Sequence, residues 1–259
     1  MQSSVIQFAA ELAYLIFGMW YMNELIKNIN KLHTTELGAE RIKRNLTLGI
    51  DDVVTWCKKC LNKADFMTQV GKNWYVYWEG KVITINAFSY TIITAHKISP
   101  KIRVMVNSDY LCLEEFLYQA IFVPEGMESP PRSIIEEPEI FVYIHDFGLK
   151  AGDLGVVAEQ NGQIIGAAWT RIISAFGHID ENTPELAISL LPGFRNYGIG
   201  TKLMNKIFQL LRINGYKQTS LSVQKDNPAV KFYQDLGYEV VDEKYDHVGN
   251  NDYLMIKRL

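Results

Sequence analysis

The chain has 259 residues, 48% hydrophobic and 21% charged, with a formal net charge of −3. That composition is globular, long enough for two small cores, and lacks the basic footprint of a nucleic-acid binder. Residues 1–100 hold 11 Lys/Arg against 8 Asp/Glu and residues 101–259 hold 15 against 21, so the acidic second part suits a cationic small substrate better than a polyanion.

In chain order, LAYLIFGMWYM (Leu12 to Met22) is an unbroken apolar run of 11 residues, short of the ~20 that cross a bilayer. No basic segment precedes it and no small-residue cleavage pattern follows, so it reads as part of an apolar helix over residues 1–30, with no membrane span expected. TTELGAERIKRNL carries Thr34 or Thr35 as an N-cap, and DDVVTWCKKCLNKA a further helix opened by Asp51 or Asp52. Cys57 and Cys60 lie one turn apart inside that helix, without the additional ligands a zinc site needs; no metal is expected. With Cys112 the cysteine count is odd, which fits a reducing, cytoplasmic compartment. The pattern then alternates in NWYVYWEGKVITINAFSYTIITAH, two or three strands broken at Glu79-Gly80 and Ala87-Phe88-Ser89. Residues 1–100 therefore read as a small α+β domain, with a boundary at Ser99-Pro100.

The second part, residues 101–259, opens with strand KIRVMV and helix DYLCLEEFLYQAIF, capped by Asp109. A stretch rich in Pro and Glu follows, about twice the usual connection length, and reads as either a disordered insert or a functional loop. LGVVAEQ and QIIGAAWTRI make a hairpin through Asn161-Gly162, and ELAISLL is the next strand. RNYGIG leads into helix TKLMNKIFQLLRI, whose Leu203, Ile207, Leu210 and Leu211 form the packing stripe and which Asn214-Gly215 ends. Strand TSLSV, helix NPAVKFYQDL and two closing strands complete a mixed α/β arrangement.

Gly198 and Gly200 stand between a strand and a helix N-terminus. Without Cβ atoms they let anionic oxygens reach backbone N–H groups, to which the helix start adds unpaired donors and partial positive charge. This is a cradle for phosphate or pyrophosphate. The spacing fits neither a P-loop, since Thr201-Lys202 follows Gly200 in the wrong order, nor a dinucleotide fingerprint, since Leu203 stands where a third glycine belongs.

Arg195-x-x-Gly198-x-Gly200 resembles the acyl-CoA signature of the GNAT N-acetyltransferase superfamily. Leu190 and Pro192 match the strand end that precedes that signature. Asn227, Ala229 (one place from its commonest position), Tyr233, Gly237 and Tyr238 match the helix that follows it. The resemblance covers residues 101–259. It implies an α/β fold with a mixed, splayed central sheet flanked by helices, and acetyl-CoA as co-substrate. It places the pantetheine arm on Ile188 and Leu190, and the pyrophosphate on the amides of Asn196, Tyr197, Gly198, Ile199, Gly200 and Thr201, with Arg195 of the signature also at the cofactor. Asn227 would orient the CoA arm and Tyr233 would protonate the departing thiolate. Candidate general bases are Glu185 and His178, with Asp180 and Glu181 nearby. The Pro/Glu-rich segment takes the place of an acceptor wall, where Glu136, Glu137 and Glu139 would attract an amine and Tyr143 and His145 would line the pocket.

GKNWY, TIN and SYTIITAHK resemble a small bacterial domain family of unknown function, over residues 22–100. The expected activity is direct acetyl transfer, in a ternary complex, to an amine of a small molecule or peptide. A homodimer is one assembly the sequence admits. The alternative is a CoA-binding sensor or interaction module with vestigial catalysis; a toxin acting on charged tRNA is disfavoured by the acidic second half.

Overall fold

The computed structural model describes residues 24–245 and 251–259, and divides into two units at Ser99/Pro100. Most of the apolar helix expected over residues 1–30 lies outside the described residues; residues 24–27 are helical.

In the first unit, α1 (Glu36–Leu46) begins where the Thr35 hydroxyl accepts the Gly38 N–H at 3.1 Å. Helix α2 (Val53–Leu61) begins where Asp52 accepts the Thr55 N–H at 2.9 Å. Such caps satisfy donors that the first helical turn leaves open. A four-stranded antiparallel sheet follows: β1 (Phe66–Val70), β2 (Asn73–Trp78), β3 (Lys81–Asn86) and β4 (Ile92–Lys97), in that order. The expected meander corresponds to β2–β4. Strand β1 was not anticipated, because FMTQV is short and becomes a strand only through its register with β2, Phe66 opposite Tyr77. Trp74 and Val76 point into a core shared with Ile42, Cys57, Cys60 and Leu61.

The second unit is built on a seven-stranded sheet ordered β10-β11-β9-β8-β7-β6-β5. Its strands are β5 (Lys101–Val104), β6 (Leu154–Gln160), β7 (Gln163–Arg171), β8 (Glu185–Leu190), β9 (Gln218–Gln224), β10 (Glu239–Tyr245) and β11 (Asn251–Arg258). Asn161 and Gly162, at φ 54° and 78°, make the left-handed two-residue turn between β6 and β7. Every neighbouring pair is antiparallel except β8 and β9, which run parallel and meet at a single register point, Glu185 opposite Ser220. Beyond that point the two strands part, and the sheet is splayed.

Helix α5 (Ile199–Ile213) carries the chain from β8 to β9 and packs through Ile199, Leu203, Met204, Ile207, Phe208 and Leu211, all buried. At ~2 kcal/mol per buried side chain, this stripe is a principal stabiliser of the crossover. Helix α3 (Leu113–Ala120) covers the other face with Phe116 and Leu117. A 3-10 turn, Asn107–Cys112, precedes it, so Asp109 lies inside the turn instead of opening the helix. There its carboxylate accepts the Val106 N–H at 2.8 Å and the Arg103 guanidinium. The Pro/Glu-rich stretch is ordered: a 3-10 turn (Arg132–Glu136), the short helix α4 (Pro138–Phe141) and further turns place Ile135, Ile140, Tyr143, Ile144 and Phe147 against the core under α3. Helix α6 (Ala229–Asp235) lies beyond β9.

Candidate active site

The loop after β8 is tied down from two sides. Arg195 donates from Nε to the Leu190 carbonyl at 3.1 Å and from Nη2 to the Gln119 carbonyl at 3.2 Å. The backbone then turns through two left-handed residues, Asn196 at φ 66° and Gly198 at φ 72°, into α5. The two glycines have different reasons. A Cβ on Gly198 would meet nothing within 4 Å, so the requirement there is the left-handed backbone. At Gly200 a Cβ would stand 3.3 Å from Phe232 Cζ and 3.6 Å from Leu190 Cδ1, so the requirement is space. Helix α5 has no side-chain N-cap, and its first N–H groups have no acceptor within the helix.

These amides open onto a cleft of about 840 Å³ where β8 and β9 diverge. The cleft brings together Ile188, Leu190, Arg195, Asn196, Gly198, Gly200, Thr201, Asn227 and Tyr233. The side chains of Tyr197 and Ile199 stay outside it: Tyr197 is exposed and Ile199 is buried in the core. One wall escaped the sequence reading. It runs from Tyr118 to Val123 at the end of α3, joined by Ser129 and Pro130, and no motif marks it.

Asn227 Oδ1 accepts the Ala229 N–H at 2.9 Å, which leaves the side-chain amide NH₂ for a ligand. Tyr233 is half-buried, with ring centroids 5.4 Å from Phe232 and 5.8 Å from Tyr238. Burial pushes its phenol up to about 12, so it stays protonated at neutral pH.

Glu185 does not line the cleft; it sits at the vertex, where β8 and β9 pair. It is 3% exposed. Its Oε1 accepts the Tyr143 hydroxyl and, at 2.8 Å, the Gly177 N–H. Oε2 is buried with no hydrogen-bond partner among the described residues. Burial raises the carboxyl to about 7, against the opposing effects of those hydrogen bonds and of His178 and Lys244. His178 is half-buried, its Nδ1 2.9 Å from the Ile173 carbonyl, and does not reach the cleft. Asp180 holds its own loop by accepting from the Asn182 N–H and the Thr183 hydroxyl; Glu181 is exposed.

The acidic side chains expected to draw in an amine, Glu136, Glu137 and Glu139, are exposed and line neither this cleft nor a smaller cavity of about 430 Å³. His145 lines the smaller cavity with Phe141 and Ile173, whereas Tyr143 faces Glu185. Cys57 and Cys60 are buried, their thiols pushed up to about 12 by desolvation, and behave as small apolar residues. Among the described residues no group of His, Cys, Asp and Glu is arranged to hold a metal, and no helix is long and apolar enough to cross a membrane.

The Acetyltransferase (GNAT) family model matches residues 118–238, and the model of a Protein of unknown function (DUF3781) matches residues 26–96. The Probable N-acetyltransferase san of Drosophila melanogaster is 34% identical over 101 residues, 37% of this chain and 52% of that protein. N-alpha-acetyltransferase 50 of Danio rerio is 31% identical over 101 residues, 37% of this chain and 57% of that protein. The chain thus spans about half the length of these curated relatives. The PaiA N-acetyltransferase of Thermoplasma acidophilum, solved in complex with coenzyme A, is 23% identical with a TM-score of 0.44, over 62% of this chain and 100% of that one. The second unit therefore carries a match to the GNAT acetyltransferase family over residues 118–238, preceded at residues 26–96 by a match to the DUF3781 family.

Proposed function

We propose that the second unit transfers an acetyl group from acetyl-CoA to an amine of a small molecule or peptide, directly, with both substrates bound together. The observation that carries this reading is the cleft at the sheet's divergence, where an uncapped helix N-terminus, Asn227 and a protonated tyrosine converge.

The residues present fit the co-substrate. The left-handed turn and open space at Gly198, and the missing side chain at Gly200, leave the α5 amides free to hold a pyrophosphate. The β9-facing edge of β8 beyond Glu185 has no strand partner, so its polar groups at Ile188 and Leu190 are open to an extended amide-bearing arm. Asn227 offers its NH₂ to the same arm. Acetyl-CoA supplies the acetyl group as an activated thioester.

Glu185, behind the cleft at the vertex of β8 and β9, takes a proton from the acceptor ammonium through an intervening water, and the neutral amine attacks the thioester carbonyl. A carboxyl near 7 is suited to this, being about half ionised at neutral pH yet basic enough to hold the proton. Tyr233 serves the leaving sulfur. With a phenol at about 12 against ~8.5 for an ordinary thiol, its main contribution is a hydrogen bond to the developing thiolate, with full proton transfer opposed by the difference.

The test combines binding with turnover. Acetyl-CoA, CoA and ATP are titrated in a thermal-shift assay, then amino acids, polyamines and short peptides are screened for thiol release. At 100 times its Kd a ligand adds ~2.7 kcal/mol, a shift of several degrees. A shift with acetyl-CoA but not ATP, followed by amine-dependent release, supports the reading. Binding without release from any amine favours a CoA-responsive module; no binding ends both.

A further inference from the structure

Glu185 is held by a segment that the acyl-CoA signature does not include. Tyr143 belongs to the turns after α4, and that stretch is fastened to the end of β7 from beneath. The Trp169 indole donates to the Tyr143 carbonyl at 3.0 Å. The Arg171 guanidinium, 2% exposed, donates to the carbonyls of Val142, His145 and Asp146 and pairs with the buried Asp153 carboxylate at 2.8 Å. Arg171 stands opposite Glu185 in the β7–β8 register, so one strand end anchors both the base and the turn beside it. Only the two oxygens of Glu185 differ: Oε1 accepts two hydrogen bonds, and Oε2 has none among the described residues.

Resting on the acetyl-transfer reading, we propose that Tyr143 is a positioning residue for the general base, its hydroxyl holding Oε1 so that the acceptor's proton goes to Oε2. The step balances: the ammonium N–H bond breaks, a proton joins Oε2, and the nitrogen keeps the electron pair with which it attacks. Tyr143 keeps its own proton throughout, because burial and the neighbouring carboxylate hold its phenol well above the ordinary range. The arrangement accounts for a carboxyl that is buried yet remains ionisable. The charged and titratable groups around it are the Tyr143 hydroxyl, His178 on the preceding loop, Lys244 on β10, Arg171 on β7, and Asp252 on β11, whose charge acts on Tyr143.

The test is Tyr143→Phe in the full chain, which keeps the ring and removes the donor. Infrared titration of the carboxyl band that disappears in Glu185→Gln reads the ionisation of Glu185 without any acceptor. A hydrogen bond to the carboxylate favours its charged form, so its loss moves the midpoint to higher pH. The expected change is about one pH unit, with the acid limb of thiol release, measured with the best amine of the screen, moving in the same direction. A midpoint that stays in place overturns the proposal whatever the activity does. A midpoint that moves while the rate profile stays overturns Glu185 as the base, and with it Tyr143's role in proton transfer. Native-like circular dichroism of the variant guards against misfolding, and Tyr143→His, which keeps a ring donor, should restore part of the profile.

Discussion

Replacing Glu185 by Gln removes the ionisation on which burial and its neighbours together act. The side chain is 3% exposed, and its pKa is raised from 4.5 to about 7 by burial. Between those two values the folded chain holds a proton that the unfolded chain releases. Stability is therefore full below about pH 4.5, falls as pH rises through the window to about 7, and stays lower above it. The interval from 4.5 to about 7, at ~1.36 kcal/mol per pH unit, is worth about 3 kcal/mol. The E185Q variant has no proton to lose and retains a carbonyl oxygen for the Tyr143 hydroxyl and the Gly177 N–H. Relative to the parent it should gain about 3 kcal/mol between pH 4.5 and 8, a roughly hundredfold change in protection at the same pH. Hydrogen exchange of the β7 and β8 amides measures this, since intrinsic rates cancel when both proteins are compared at one pH. Parallel pH dependences in the two proteins would refute the reasoning. The role proposed for Glu185 as general base predicts that thiol release in the variant falls by ~10²–10⁴.

Tyr233→Phe should lower kcat for thiol release by ~10²-fold, as expected for loss of one donor to a developing anion, while the Kd of CoA by calorimetry stays within a factor of two; unchanged kcat removes the hydroxyl from the reaction. Gly198→Ala forces a side chain into a left-handed backbone and should cost ~1–2 kcal/mol by denaturant unfolding. The same variant should weaken acetyl-CoA binding at least tenfold, and unaltered binding would mean the turn does not present the amides.

The glycine turn was legible because its physics is local. A left-handed residue, a helix start and an apolar stripe all lie between Gly198 and Leu211, and the structure places Gly198, Gly200 and the α5 core face together. The Asn161-Gly162 hairpin and the Thr35 and Asp52 caps were legible for the same reason. What the sequence hid depends on partners far along the chain. Strand β1 exists through its register with β2. The Pro/Glu-rich segment has the composition of an unstructured linker, yet Arg171, some 25–29 residues later, organises it by binding three of its carbonyls. Charge alone pointed to Glu136, Glu137 and Glu139 as the amine-attracting residues. Glu185 was legible as a candidate base from its place at the start of β8, but its burial, which raises the carboxyl, is a property of the folded sheet that no local pattern carries.

The single rung between β8 and β9 also bears on how the second unit responds to load. On one side lie β5 to β8, on the other β9 to β11, and across the gap the sheet's hydrogen-bond ladder is interrupted after Glu185 and Ser220. Helix α5, packed on β5, β6, β7 and β8 and running on into β9, is left to act as the spine that binds these two leaves. A guest with its own amides, laid along the vacant edge, would serve as a borrowed strand and stiffen the fold across its weakest seam. Protection gained on ligand binding should therefore be concentrated in β8 and β9 and fade toward β5 and β10, with occupancy read as a change in the sheet's own cohesion.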